Sequence, residues 1–184
     1  MSELVRNPRV LHKAQTEVRE ALHGRSKLTE GDVAGRRLSY LNLRMHASLP
    51  FLLPRQCRKP CEVMGYHIRE GTKVLVNVWA DAYWEDVEAF KPERLQESSA
   101  SAMDFKGGHF EYLLFGSGKR VCPGVALGLA NMELLLASLL YHFDWQPPGG
   151  RRPEELDMFE AFGIALSKKT KLVLRATQRI PFAS

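Results

Sequence analysis

A chain of 184 residues with 45% hydrophobic and 26% charged side chains is about one domain long and rich enough for a packed core, which excludes a disordered linker. The formal net charge of +5 falls on scattered basic pairs, Arg36-Arg37, Arg151-Arg152 and Lys168-Lys169, so neither a basic stripe nor a nucleic-acid groove with interleaved aromatics is expected. Three cysteines, Cys57, Cys61 and Cys122, are too few and too odd a set for a secreted disulfide framework and point to a reducing compartment.

Taken in chain order, Asn7-Pro8 reads as an N-cap followed by proline at the first helical position, and Val10, Leu11, Ala14, Val18, Ala21 and Leu22 continue at helical spacing until Gly24. Met1 is followed by Ser-Glu-Leu-Val-Arg rather than a signal peptide, and no apolar run is expected to span a membrane, so the chain is read as having no anchor. Thr29 and Asp32 predict a short helix opened by a capping box, and residues 38–45 predict another of only about two turns. Pro50 and Pro54 break any helix. Residues 62–68 and 72–78 then read as extended segments joined at Arg69-Glu70-Gly71, which predicts a β-hairpin.

Residues 80–114 form a long irregular stretch carrying Lys91-Pro92-Glu93-Arg94 and Gly107-Gly108. Residues 125–143 are the strongest helix, apolar nearly all round apart from Asn131, Glu133 and His142, and are expected to be a buried core helix stopped by Pro147-Pro148-Gly149-Gly150. Residues 171–176 alternate like a strand. The expected fold class is mainly α with a small β portion, α+β, without internal repeats.

The informative segment is Phe115-Gly116-Ser117-Gly118-Lys119-Arg120-Val121-Cys122-Pro123-Gly124, a glycine-rich turn that sets one cysteine before the strongest helix. A thiol at a helix N-terminus faces unpaired N–H groups and the positive end of the macrodipole, which favour the thiolate needed for metal ligation. Pro123 suits a first helical turn, and Gly118, Gly124 and Gly128 remove side chains where backbone would approach a flat macrocycle. A lone cysteine thiolate is a recognised axial ligand of haem iron. On spacing alone, a buried core cysteine stands beside this reading as an even alternative.

Phe115, Gly118, Arg120, Cys122 and Gly124 match the haem-binding signature of the cytochrome P-450 family, and other stretches resemble that family in its order. Asn7-Pro8 with Lys13, Gln15 and Glu17-Val18-Arg19 resembles the helix preceding the family's Glu-x-x-Arg helix, and Arg44-Met45-His46 resembles the end of the latter. Leu52-Leu53-Pro54-Arg55 is similar to the strand entry beyond it, Lys91-Pro92-Glu93-Arg94 to the Pro-Glu-Arg motif, and Met103-Asp104-Phe105 through Phe115 to the approach to the haem loop in the plant A-type microsomal subgroup. The resemblance covers almost the whole chain, residues 1–184, read as the C-terminal haem-binding part of one incomplete domain. It implies a monooxygenase of plant secondary metabolism that inserts one oxygen atom from O2 into a small lipophilic substrate. Its electrons would come from NADPH through a flavoprotein reductase, at the cytoplasmic face of the endoplasmic reticulum membrane. By the same resemblance Cys122 would be the axial iron ligand, Arg55 and Arg120 would meet haem propionates, Phe115 would pack near the ring, and Ser48, Leu49, Phe51, Leu52, Ile164 and Ala165 would line the substrate pocket.

Two departures from the family pattern stand out. Leu41 occupies the place of the glutamate three residues before Arg44, and the helix there is several residues short, so Arg44 and Arg94 would lack the carboxylate that joins them in a network. Removing one partner of a buried ionic network costs about 3 to 5 kcal/mol, against a domain stability of roughly 5 to 15 kcal/mol. A second shortening falls between Trp79 and Trp84. The family's distal half and membrane anchor lie upstream of anything in this sequence, so a non-catalytic remnant that binds haem weakly, soluble or aggregated, is the expected alternative function. A nucleic-acid module is disfavoured, and a zinc site from Cys57 and Cys61 lacks a second ligand pair, His67 alone being insufficient.

Overall fold

The computed structural model describes residues 1–25, 27–33, 49–78, 90, 113, 115–161, 163 and 165–182. The predicted helix at 38–45, Leu41, Arg44, Ser48, Arg94, Ile164, the segment between Trp79 and Trp84 and most of the long stretch 80–114 lie outside them.

Two helices open the chain, α1 (Ser2–Arg6) and α2 (Pro8–Ala21), hinged at Asn7. Asn7 occupies the expected N-cap position of α2 but makes no side-chain cap bond. Its amide Nδ2 instead donates to Glu3 O at 2.8 Å, a carbonyl at the end of α1 that also accepts from the Asn7 backbone N–H at 3.1 Å. Val10, Leu11, Ala14 and Val18 form the buried stripe of α2, and Gly24, with φ +79°, takes the left-handed conformation that ends this helical segment. At α3 (Glu30–Val33) one half of the expected capping box is present: the Thr29 N–H donates to Asp32 Oδ2 at 3.0 Å, while the Thr29 hydroxyl donates to the same oxygen at 2.7 Å and the Asp32 N–H goes to Thr29 O.

The predicted hairpin is placed differently. Residues 62–68 are not one strand but fold on themselves, β2 (Cys61–Val63) pairing antiparallel with β3 (Tyr66–Ile68). Both turn residues, Met64 at φ +51° and Gly65 at φ +81°, are left-handed, as a two-residue hairpin turn matched to strand twist requires. The second segment pairs backwards: β4 (Lys73–Val74) lies against β1 (Arg55–Gln56), with Arg55 opposite Val74.

The long helix α4 (Val125–His142) is present, but the expectation that it is buried holds only for its C-terminal end. Ala137, Leu140, Tyr141 and His142 are buried, whereas Leu127 and Leu135 are 68% and 64% exposed. By length and composition alone α4 is apolar enough to cross a membrane, contrary to the expectation that no run reaches that size. Its last turn nevertheless packs into the core with Leu4, Val5, Val10, Ala14 and Val18. The helix ends at His142, ahead of the prolines, because the chain turns directly into β5 (Phe143–Gln146).

The end of α4 is closed by a side chain of β5 and by two from α2, far back along the chain. Trp145 Nε1 donates to Leu139 O at 2.9 Å, Arg19 Nε to Tyr141 O at 3.3 Å, and Gln15 Nε2 to Phe143 O at 3.0 Å. The Tyr141 hydroxyl lies 3.0 Å from Leu22 O and 2.8 Å from Arg25 O, tying α4 to the exit of α2. Antiparallel to β5 runs β8 (Arg175–Gln178), a little later than the predicted strand, while β6 (Glu160–Ala161) pairs with β7 (Ser167–Lys168). Among the described residues, helices with four small two-stranded sheets make the α+β class expected.

Candidate functional site

The glycine-rich turn is a closed loop. Cys122 N–H donates to Phe115 O at 2.9 Å, Val121 N–H to Gly118 O at 3.0 Å, and Gly116 N–H to Leu113 O at 3.1 Å. A single 3-10 turn, Gly118–Arg120, lies inside the loop. Phe115 and Cys122 are therefore pinned opposite one another, and the cysteine is held two residues before the N-cap of α4, which is Gly124. Pro123 consequently precedes the helix rather than occupying its first turn.

Beside this loop lies a cavity of about 730 Å³. One wall is the segment before β1, with Leu49, Leu52, Leu53 and Pro54, and the first residue of β1, Arg55; the other is the loop itself, with Phe115, Gly116, Lys119, Arg120, Val121, Cys122 and Pro123, and Met132 of α4 lies beside them. Among the described residues, apolar side chains make most of the surface, interrupted by the cations of Arg55, Lys119 and Arg120 and the thiol of Cys122. Such a lining suits a flat apolar ligand with carboxylates at its edge and a metal at its centre.

Of the residues expected from sequence, Arg55, Phe115, Arg120 and Cys122 share this cavity, as do Leu49 and Leu52. Phe51 is half-exposed and Ala165 exposed, and neither is among the lining residues. The alternative of a buried core cysteine is overturned, since Cys122 is exposed and its thiol is free. Gly118, at φ +65°, has nothing within 4 Å of the position a Cβ would take, so its need for glycine here is conformational. Gly124 lies against the thiol, an added Cβ being 3.9 Å from Cys122 Sγ.

Sequence reasoning passed over Gly116 and Met132, and it took Lys119 only as a surface charge for a redox partner, whereas all three line the cavity. Gly116 is buried at φ +74°, and a Cβ there would stand 3.6 Å from both Arg120 O and Leu52 Cδ1 and 3.8 Å from Arg55 Nη2. It is the position where the two walls touch. The signal was present in the motif itself, where Gly116 and Gly118 alternate, but which glycine meets the other wall depends on a contact made across sixty-odd residues of chain. The zinc reading gains no further ligand: among the described residues no cluster of three or more His, Cys, Asp or Glu could hold a metal.

A family model described as Cytochrome P450 matches residues 1–175 of this chain. The chain is similar to Zealexin A1 synthase of Zea mays, 52% identical over 98% of this chain and 37% of that protein. It is similar also to Ent-cassadiene hydroxylase of Oryza sativa subsp. japonica, 53% identical over 94% of this chain and 34% of that protein. A third relative is Premnaspirodiene oxygenase of Hyoscyamus muticus, 48% identical over 98% of this chain and 37% of that protein. The chain thus spans little more than a third of the length of these relatives.

Proposed function

This chain belongs to the cytochrome P450 family, and on that premise we propose that its cavity forms the thiolate side of a haem site with Cys122 as the axial ligand of the iron. The observation that carries the reading is the placement of one exposed, unpaired thiol in the same apolar cavity as Arg55 and Arg120. When bound, haem would supply the activation of O2, favoured by electron density pushed from the thiolate.

The residues of the chain divide the remaining work. The bond from Cys122 N–H to Phe115 O fixes the backbone of the two residues from which the sulfur and the aromatic ring project. Arg55 and Arg120 supply two guanidinium groups for the haem carboxylates, and a planar fork is well suited to that contact. Leu52, Phe115 and Val121 supply apolar cavity surface against which a flat macrocycle would pack. Lys119 and Arg120 are exposed cations beside the cysteine loop, a surface that would attract an acidic flavoprotein reductase carrying electrons from NADPH.

The whole protein would be a monooxygenase inserting one oxygen atom into a small lipophilic substrate at the cytoplasmic face of the endoplasmic reticulum. The relatives are named a hydroxylase of ent-cassadiene and an oxygenase of premnaspirodiene, which supports a hydrocarbon substrate of that kind. Leu49 and Leu52, with Ser48, Phe51, Ile164 and Ala165, are the proposed substrate-side residues, and Arg44 and Arg94 the proposed supports of the haem loop.

The test is the absorption spectrum of the chain mixed with haem, reduced and exposed to carbon monoxide, beside a Cys122→Ala variant of matching circular dichroism. A red-shifted Soret band that disappears in the variant supports the reading. A band unchanged by the substitution, or no band in the parent chain, sinks it for this chain.

A further inference from the structure

Cys57 and Cys61 have no part in the haem reading, yet the fold brings them together, Sγ to Sγ at 3.7 Å. Their approach is built by backbone on both sides. The Cys57 N–H donates to Thr72 O and the Cys57 carbonyl accepts from Gly71 N–H, each at 2.9 Å, which extends the β1–β4 ladder by one residue. Cys61 begins β2, opposite Ile68 of β3. The link of Arg58, Lys59 and Pro60 is exposed and folds back so that Lys59 O lies 2.9 Å from Cys57 Sγ. Both thiols are free, Cys57 half-buried and Cys61 exposed.

We propose that Cys57 and Cys61 are a reversible dithiol–disulfide pair, a surface oxidation site that reacts with low-molecular-weight disulfides and lies at the end of the strand carrying Arg55 to the cavity. One cysteine attacks a sulfur of the small disulfide, breaking that S–S bond and releasing one thiol; the other cysteine attacks the resulting mixed disulfide and releases the second. The protein gives up two electrons and two protons, one S–S bond forms and one breaks, and the oxidant leaves as two thiols. The sulfurs must approach from 3.7 Å to about 2.05 Å, a movement that three exposed link residues can absorb. The loop closed is short, so the bond removes little entropy from the unfolded chain, and its exposure leaves it open to reduction, which makes it a labile pair rather than a structural staple.

The experiment treats the reduced full chain with oxidised glutathione, blocks remaining thiols with iodoacetamide, and maps tryptic peptides by mass. The expected product joins residues 56–58 to residues 59–69, lighter by two hydrogens than the two reduced peptides together and separated by dithiothreitol. In Cys61→Ser the bond cannot close, and Cys57 is expected to retain one glutathione. Recovery of Cys57 and Cys61 in the parent chain on separate peptides, alkylated or each bearing glutathione, overturns the proposal. So does their linkage to Cys122 or to another molecule.

Discussion

Arg19 and Asp144 meet across 125 positions of sequence, guanidinium Nη2 to carboxylate Oδ1 at 2.8 Å. Both side chains are partly exposed, 24% and 40%, so the ion pair itself is worth about 0 to 1 kcal/mol. The same guanidinium also donates to Tyr141 O at 3.3 Å and Phe143 O at 3.1 Å, where α4 passes into β5. Arg19→Ala is therefore expected to lower the unfolding free energy by about 1 to 3 kcal/mol, and Asp144→Ala by under about 1 kcal/mol. Urea denaturation of the two variants checks the order; equal losses would make the ion pair, rather than the carbonyl contacts, the dominant tie.

Tyr141 is buried and its hydroxyl serves two carbonyls, Leu22 O and Arg25 O. Tyr141→Phe keeps the ring and strands these acceptors, which should cost about 1 to 3 kcal/mol. The same substitution leaves the cavity untouched. Thermal unfolding should shift downward while the carbon monoxide spectrum of any folded haem complex keeps its band position.

Gly116 and Gly128 make opposite predictions under one substitution. Alanine at Gly116 is strained by a φ of +74°, at roughly 1 to 2 kcal/mol, and crowds the junction of the two walls, so both stability and haem retention should fall. Gly128 is helical with nothing within 4 Å of an added Cβ, so Gly128→Ala should stabilise α4 by about 0.5 to 1 kcal/mol without haem. If a macrocycle lies over that face, the same methyl weakens haem binding. Denaturation without haem and haem titration of each variant separate the two effects.

The Asp157 carboxyl lies below its ordinary value of 3.8, chiefly because the Thr170 hydroxyl donates to it at 2.7 Å, with the Phe159 N–H second at 2.9 Å. A lowered native value means that this group favours the folded state fully above about pH 3.8 and that the contribution is lost as pH falls through the native value. The protection of the Phe159 amide against hydrogen exchange, relative to its intrinsic rate at each pH, should fall over that acid window. In Thr170→Val the loss of protection should begin at higher pH, because the largest cause of the lowering is gone.

Local chemistry in the sequence locates several elements. Proline after Asn7, the Thr29 and Asp32 pair and Gly24 specify helix ends through interactions within a few residues, and α2 and α3 appear where they predict. The hairpin went elsewhere because Met64-Gly65 is itself a tight turn, and a methionine at φ +51° leaves no compositional mark. Asn7 shows the same limit: its side-chain amide donates back to Glu3 O of α1, and its oxygen does not cap the helix it precedes.

The sequence alone determined the family and singled out Cys122 as the proposed ligand, because a signature of residue types at consecutive positions is a property of the chain rather than of its packing. It also determined that 125–142 is helical, since apolar content and helix propensity act locally. Only the tertiary structure decided that Arg55 and Arg120 face one cavity, that Gly116 is where its walls meet, that Arg19 closes the far end of α4, and that Cys57 and Cys61 touch. Each of these is a contact between side chains or ladders whose register depends on turns elsewhere, so no window of sequence contains both partners and the reason they meet.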